Sequence, residues 1–266
     1  MSSMSQRDVF DESAAIYQAA RPAYPAELFD DLITATGLRP PSELLEIGAG
    51  PGTATVDVAR RGFKITAVEL GPGLAEQARR NLAAFPLVSV ITGGFEEWEP
   101  PAGTGYDLVY SANVWHWLDP QVRWTKAAAL LAPGGWLAVF GARHAFPDGY
   151  DPFFDQLQPV YQELGEGAID WPPAPPRPTN GPLIEEAEST GLFTAVADRS
   201  YVWPVEYDVD GYLALLDTFA NHLVMEPAKR DHLYGEVRRL FAERPGGRVT
   251  RHWVSQPVLF RREPAA

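Results

Sequence analysis

Apolar and polar positions follow a steady rhythm over the first 140 residues and lose it afterwards. Short apolar runs stand at Glu43–Ile47, Lys64–Glu69, Leu87–Ile91, Tyr106–Tyr110 and Trp136–Phe140, each the length of one strand. Helical patterns separate them. Thr53–Arg61 is closed by Gly62. A second helix starts at Pro72 and carries Leu74, Ala78, Leu82 and Phe85 on one face. A third runs over roughly Pro120–Leu131 and stops at Pro133-Gly134-Gly135. Upstream, residues 7–36 read as helical, with Phe10, Ile16, Leu28, Phe29, Leu32 and Ile33 among the apolar positions, and Arg21-Pro22-Ala23-Tyr24-Pro25 breaks them into two pieces. Strands alternating with helices predict a Rossmann-like, doubly wound α/β sheet that binds its ligand at the carboxyl ends of the strands.

Beyond Phe140 the pattern changes. Residues 144–181 are rich in proline and aromatic side chains, including Trp171-Pro172-Pro173-Ala174-Pro175-Pro176, and read as an ordered loop or lid. Leu183–Thr190 reads as a helix, Phe193–Pro204 as a sixth strand, Val209–Leu223 and Pro227–Glu243 as helices, and Arg248–Phe260 as a last strand. The chain of 266 residues is thus expected to be one domain: a helical arm over 1–40, a core over 41–143, a lid over 144–182, and carboxyl-terminal strands over 183–266 with a helical insertion at 208–244.

Composition narrows the chemistry. With no cysteine, thiolate nucleophiles, thiolate metal sites and disulfides are excluded. The net charge of −13 argues against a nucleic-acid partner and serves solubility. No apolar run approaches the roughly 18 residues of a membrane span, and MSSMSQRDVFDES lacks the apolar centre of a signal peptide, so a cytoplasmic protein is expected. No His, Asp and Glu cluster has metal-ligand spacing. His144, His222, His232 and His252 have no partner that the sequence identifies.

The candidate chemistry centres on Leu44-Leu45-Glu46-Ile47-Gly48-Ala49-Gly50-Pro51-Gly52-Thr53. An apolar strand turns on three alternating glycines and becomes helical, the shape of a nucleotide-binding corner. Glycine lets backbone and ligand approach closely. Glu46 precedes the turn. Glu69 lies 21 positions after Gly48 at the end of the second strand, where a carboxylate can accept both hydroxyls of a ribose. The dinucleotide order G-x-G-x-x-G is not met, because Thr53 stands where the third glycine belongs. A nicotinamide-dependent oxidoreductase, or a non-catalytic protein that keeps the cofactor pocket, are the alternatives.

The order E-x-G-x-G-x-G resembles motif I of the class I S-adenosylmethionine-dependent methyltransferases. Ser111-Ala112-Asn113-Val114-Trp115-His116-Trp117-Leu118-Asp119-Pro120, Tyr17-x-x-x-Arg21-Pro22 and Leu131-x-Pro133-Gly134-Gly135 extend the likeness to the small-molecule branch that includes trans-aconitate methyltransferase. The resemblance covers residues 8–140. It implies a seven-stranded, mostly parallel sheet with an antiparallel last strand, S-adenosylmethionine as methyl donor and a small-molecule acceptor methylated at oxygen, nitrogen or a carboxylate. It implies cofactor contacts from Glu46, Gly48, Gly50, Gly52, Glu69, Leu70, Ala112 and Asn113. Tyr17 and Arg21 are implied near the methionine carboxylate, Arg21 as a charge-assisted donor. The adenine site departs from the pattern. Gly94 occupies the usual aspartate position, Phe95 is expected to offer its amide and an apolar wall, and Glu96 to replace the missing carboxylate. The alternative is that Phe95 and Trp98 are core aromatics and Glu96 is solvated. Trp115, Trp117, Tyr207, Phe219 and Trp253 are expected to line a dry acceptor pocket, and His116 to act as general base or, alternatively, to cap the next helix. The oligomeric state is left open.

Overall fold

Every one of the first five apolar runs is a strand in the computed structural model, which describes residues 20–167, 171 and 180–264. The chain order is α1 (Ala26–Thr36), β1 (Glu43–Ile47), α2 (Thr53–Ala59), β2 (Lys64–Glu69), α3 (Pro72–Asn81), β3 (Val88–Thr92), β4 (Tyr106–Ala112), α4 (Arg123–Leu130) and β5 (Leu131–Phe140). Then come β6 (Ala142–Ala145), α5 (Phe153–Glu163), α6 (Gly181–Ser189), β7 (Phe193–Asp198), β8 (Tyr201–Tyr207), α7 (Val209–Leu216), α8 (Ala220–Leu223), α9 (Pro227–Ala242), β9 (Val249–Ser255) and β10 (Val258–Arg262). Two compact units share them.

The large unit takes the described parts of 23–142, 178–201 and 255–266. It holds a seven-stranded sheet ordered β3-β2-β1-β4-β5-β10-β7. β1 is parallel to β2 and β4, and β10 runs antiparallel to both β5 and β7. The expected Rossmann-like sheet with an antiparallel last strand is therefore present. Leu44, Leu45, Glu46 and Ile47 are all buried, because helices cover both faces of β1. The order reverses between β1 and β4, which makes their carboxyl ends the switch point of the sheet. Ile47, Val68, Val109, Leu137 and Phe260 join Trp115, Trp124 and Phe193 in one core cluster. In α1, Leu28, Phe29 and Leu32 are buried, and Phe29 meets Tyr24 and Phe140 edge-on.

The small unit takes the described parts of 1–22, 143–177 and 202–254. Its sheet is ordered β6-β9-β8, and α5, α7, α8 and α9 belong to it. Leu233, Val237, Leu240 and Phe241 form the buried face of α9, as their spacing predicts.

Three expectations need correction. Phe193–Pro204 is not one strand: β7 joins the large sheet and β8 the small one. Arg248–Phe260 is likewise two strands, β9 and β10, separated at Gln256-Pro257, where proline has no N–H to continue a ladder. The segment 144–181 is not only loop, since Phe153–Glu163 is a helix with Pro159 inside it. Proline masked the pattern, yet Phe153, Phe154, Leu157 and Val160 are buried at helical spacing.

Candidate active site

Backbone geometry builds the glycine turn. Gly48, Gly50 and Gly52 have φ of 68°, 57° and 89°, a region costly to side-chain-bearing residues. Their surroundings differ. A Cβ on Gly48 would lie 2.5 Å from Val114 Cγ1, whereas a Cβ on Gly50 would meet nothing within 4 Å. The turn is tight at Gly48 for packing and open at Gly50. Its start is anchored to the neighbouring strand, because Gly48 N donates to Val68 O at 2.8 Å.

Glu69 closes the turn from the other side. Its Oε2 accepts from Gly50 N at 2.7 Å and its Oε1 from Gly71 N at 2.8 Å. One carboxylate thus ties the loop after β1 to the loop after β2.

Glu46 is placed differently from the expected ligand contact. It is buried, and its Oε2 accepts from Thr55 Oγ1 at 2.5 Å and from the Tyr110 hydroxyl at 2.8 Å. Tyr110 is its register partner on β4. Burial pushes the Glu46 carboxyl up to about 7, against the two hydrogen bonds that favour its charge. The residue braces β1 against α2 and β4.

Asn113 is also committed within the protein. It has a φ of 65° at the end of β4. Its Nδ2 donates to the Tyr24 hydroxyl at 2.8 Å and its Oδ1 accepts from Ala142 N at 2.8 Å. A Cβ on Gly141 would come within 2.6 Å of that Oδ1. The side chain therefore locks three segments together, and Ala112, half-buried beside it, ends the strand.

At the adenine position the structure rearranges the expected roles. The Phe95 ring is buried in the core cluster, so it forms no exposed wall. Its backbone N–H has no partner among the described residues. The Glu96 Oε1 accepts from Asp119 N at 3.1 Å. Glu97 instead occupies the space in question: a Cβ on Gly94 would collide with Glu97 Oε2. The turn that brings it there is closed by Trp98 N donating to Gly94 O at 2.9 Å. The Glu97 carboxylate thus lies where a side chain on residue 94 would begin. Leu70, 49% exposed between Glu69 and this turn, presents apolar surface beside it.

His116 sits in a one-turn 3-10 helix, Trp115–Trp117, and is exposed. Its ring leans on Trp117 at 5.0 Å. Partial desolvation and then the Arg123 charge hold its pKa below the ordinary value, so it is neutral at pH 7. It does not cap α4, which has no side-chain cap.

The proposed aromatic pocket is divided. Trp115 is core, stacked edgewise on Trp124 at 4.7 Å in the large unit. Tyr207, Phe219 and Trp253 belong to the small unit. Arg21 is also there: its Nε donates to Thr218 Oγ1 at 2.9 Å, and its guanidinium lies 4.5 Å from the Phe219 ring. Tyr17 lies outside the described residues.

The sequence reading missed Thr55, Tyr110, Tyr24 and Glu97. The alternation that turns Tyr110 inward on β4 was available. Pairing it with Glu46 needed the strand register.

Comparison with known proteins agrees with this geometry. Residues 45–139 match the family model described as a methyltransferase domain. An uncharacterised methyltransferase of Mycobacterium tuberculosis is 34% identical over 138 residues, 51% of this chain and 54% of the relative. A trans-aconitate 2-methyltransferase of the same species is 35% identical over 118 residues, 42% of this chain and 41% of the relative. The chain thus spans about half the length of the curated relatives it matches. A protein of Anaeromyxobacter dehalogenans assigned to the type II methyltransferases has the same fold, with a TM-score of 0.61, 22% identity, and 91% and 97% of the two chains covered.

Proposed function

We propose that this chain, which carries a methyltransferase domain at residues 45–139, transfers the methyl group of S-adenosylmethionine to a small-molecule acceptor. One observation carries the reading. The open face of Gly50 and the Glu69 carboxylate meet at the switch point of the sheet, where a nucleoside can lie against backbone and place its ribose on an acidic side chain. S-adenosylmethionine supplies an electrophilic methyl on a sulfonium centre.

The chain's own residues bind and orient. Glu69, its carboxylate fixed by the Gly50 and Gly71 amides, accepts the ribose hydroxyls. Leu70 covers one face of the adenine, the Phe95 N–H meets a ring nitrogen, and Glu97 accepts the exocyclic amine. Gly48 and Gly52 shape the turn, while Glu46 and Asn113 hold its walls rigid. Arg21 and Tyr17 are assigned to the methionine carboxylate on the resemblance. In the transfer, the acceptor's lone pair forms the new bond to the methyl carbon as the carbon–sulfur bond breaks and its electrons return to sulfur. Orientation supplies most of the rate, roughly 7–11 kcal/mol in well-aligned systems. Where the acceptor atom carries a proton, neutral His116 takes it.

Purified protein incubated with methyl-tritiated S-adenosylmethionine and a library of small nucleophiles tests the reading, alongside calorimetry with S-adenosylhomocysteine. Micromolar binding and labelled product are expected. Absence of S-adenosylhomocysteine binding overturns the proposal.

A further inference from the structure

Within the large unit, α4 reaches back to the turn that carries His116. Trp115–Trp117 is a single turn of 3-10 helix. Trp117 N donates to Val114 O at 2.8 Å, and Leu118 N to Trp115 O at a longer 3.3 Å. A 3-10 segment this short has poor hydrogen-bond geometry and little stability of its own. Arg123, at the start of α4, adds a bond from outside. Its Nη1 donates to Trp115 O at 3.0 Å. A guanidinium makes that bond charge-assisted and so stronger than an amide could.

Arg123 is itself clamped. Its Nη2 donates to Glu186 Oε1 and Oε2 at 2.5 and 2.7 Å. Trp124 Nε1 donates to the same Oε1 at 2.8 Å. Glu186 lies on α6, whose Ala187 shares the core cluster with Trp115 and Trp124. The Arg123 side chain is 11% exposed, so salt screens these contacts weakly. One nitrogen serves the turn and another the carboxylate, which a planar fork can do and a lysine ammonium cannot match. A pair serving only to tie α4 to α6 has no use for the bond to Trp115 O.

The same cation acts on the imidazole. After partial desolvation, Arg123 is the group that keeps the His116 ring neutral. The acids of the neighbouring segments are engaged with other donors. Glu186 holds Arg123, Glu96 Oε1 accepts from Asp119 N, and Asp119 Oδ1 accepts from Gln121 N. Lys126, one turn further along α4, donates to Glu96 O and pairs with Glu99.

We infer that Arg123, clamped by Glu186, is a positioning residue for His116, fixing the turn from which the imidazole acts. Its charge disfavours imidazolium, so the ring meets the acceptor unprotonated and returns the proton to water afterwards. The role in methyl transfer rests on the reading of His116 as base; the hold on the turn does not.

Nuclear magnetic resonance of the full chain tests this without any ligand. Ring-labelled histidine reports the titration of His116, assigned among five histidines with His116→Gln. Amide exchange of Trp117 and Leu118 reports the turn. In Arg123→Gln the His116 midpoint should move up, and both amides should exchange about tenfold faster or more. In Arg123→Lys the midpoint should stay, because the charge is kept, while exchange still quickens. With an acceptor identified by labelled methyl transfer, both variants should lower kcat by about tenfold or more. Both should keep S-adenosylhomocysteine affinity within about twofold. Only Arg123→Gln should move the pH–rate profile up. A lower melting temperature with the His116 midpoint and both exchange rates unmoved is the result of a purely structural ion pair, and overturns the inference. Should Arg123→Gln fail to fold, wild-type exchange in Arg123→Lys overturns it. So does wild-type kcat in both variants. If the unaltered protein does not bind S-adenosylhomocysteine, the methyl-transfer reading falls and the positioning role with it, while the titration and exchange shifts still decide whether Arg123 holds the turn.

Discussion

The two units differ in the pairing of their buried ionisable side chains, although each holds unpaired atoms: Trp115 Nε1 and Arg123 Nε lie in the large one. In the large unit the buried acids are satisfied: Glu46 by Thr55 and Tyr110, Glu69 by two backbone amides. In the small unit Arg251, His144, His222 and Gln158 each retain an unpaired buried atom. Satisfied networks rigidify a frame, whereas an unpaired buried polar atom is costly in a low dielectric. The difference teaches where each unit is braced: bonds between backbone and carboxylate fix the large unit's turn, while the small unit's core holds unpaired polar atoms.

The strongest break of that contrast is at Gly50. Gly50→Val adds a side chain where the protein itself has nothing within 4 Å. Strain from the positive φ should cost about 1–2 kcal/mol of stability, while S-adenosylhomocysteine binding is lost. Normal S-adenosylhomocysteine affinity in calorimetry would remove the turn from the site. Gly48→Val, which drives a side chain into Val114, should instead damage the fold itself.

Glu46 tests how conditional the satisfied side is. Its carboxyl is raised in the folded protein, so its contribution is full below the ordinary carboxylate range and is lost as pH rises through about 7. A shift of that size corresponds to at most about 3 kcal/mol. Glu46→Gln should flatten the stability–pH curve between about pH 4.5 and 7, measured by urea denaturation. Parallel curves would show that Glu46 titrates as it does in the unfolded chain.

His116 belongs to neither pattern, being exposed and neutral. With an acceptor that must lose a proton, His116→Gln should lower turnover by about 10²-fold with cofactor affinity kept. The wild-type rate should fall as pH drops through a pKa below the ordinary histidine value, since only the neutral ring accepts a proton. A single-turnover rate near wild type in the variant excludes His116 as the base.

A smaller effect sharpens the adenine assignment. Glu97→Gln should weaken S-adenosylhomocysteine by about 1–2 kcal/mol, and Glu96→Gln by much less. Isothermal titration with the inosine analogue, which lacks the amine, should erase the difference. The reverse ranking would restore Glu96. The smallest expected change has the opposite sign: Arg251→Met replaces a buried cation that has no acidic partner among the described residues and should raise stability by about 1 kcal/mol. A large loss in denaturation midpoint would show that the tyrosines already satisfy that charge.

These tests also mark what was legible in advance. The large unit could be read because its strands are contiguous apolar runs and its turn is a contiguous motif; β1 and β2 fall on the expected residues. The position of Glu97 was missed because it depends on a turn folding back on Gly94, a three-dimensional fact. The partners of the Asn113 side chain, Tyr24 and Ala142, could not be read because they are distant in sequence. The small unit draws on separated stretches of chain, so no local pattern announces it. Arg251 did leave a trace, a charge at an inward position of the alternating run Val249–Ser255.

The place of β10 has a consequence for how the chain is made. It is the last strand in sequence, yet it lies between β5 and β7. During synthesis the edge of β5 stays open until Val258–Arg262 leaves the ribosome, and β7 has no neighbour to dock on before then. The nascent chain therefore exposes an unpaired strand edge for the whole interval in which residues 143–257 are added, the period in which a chaperone has most to protect.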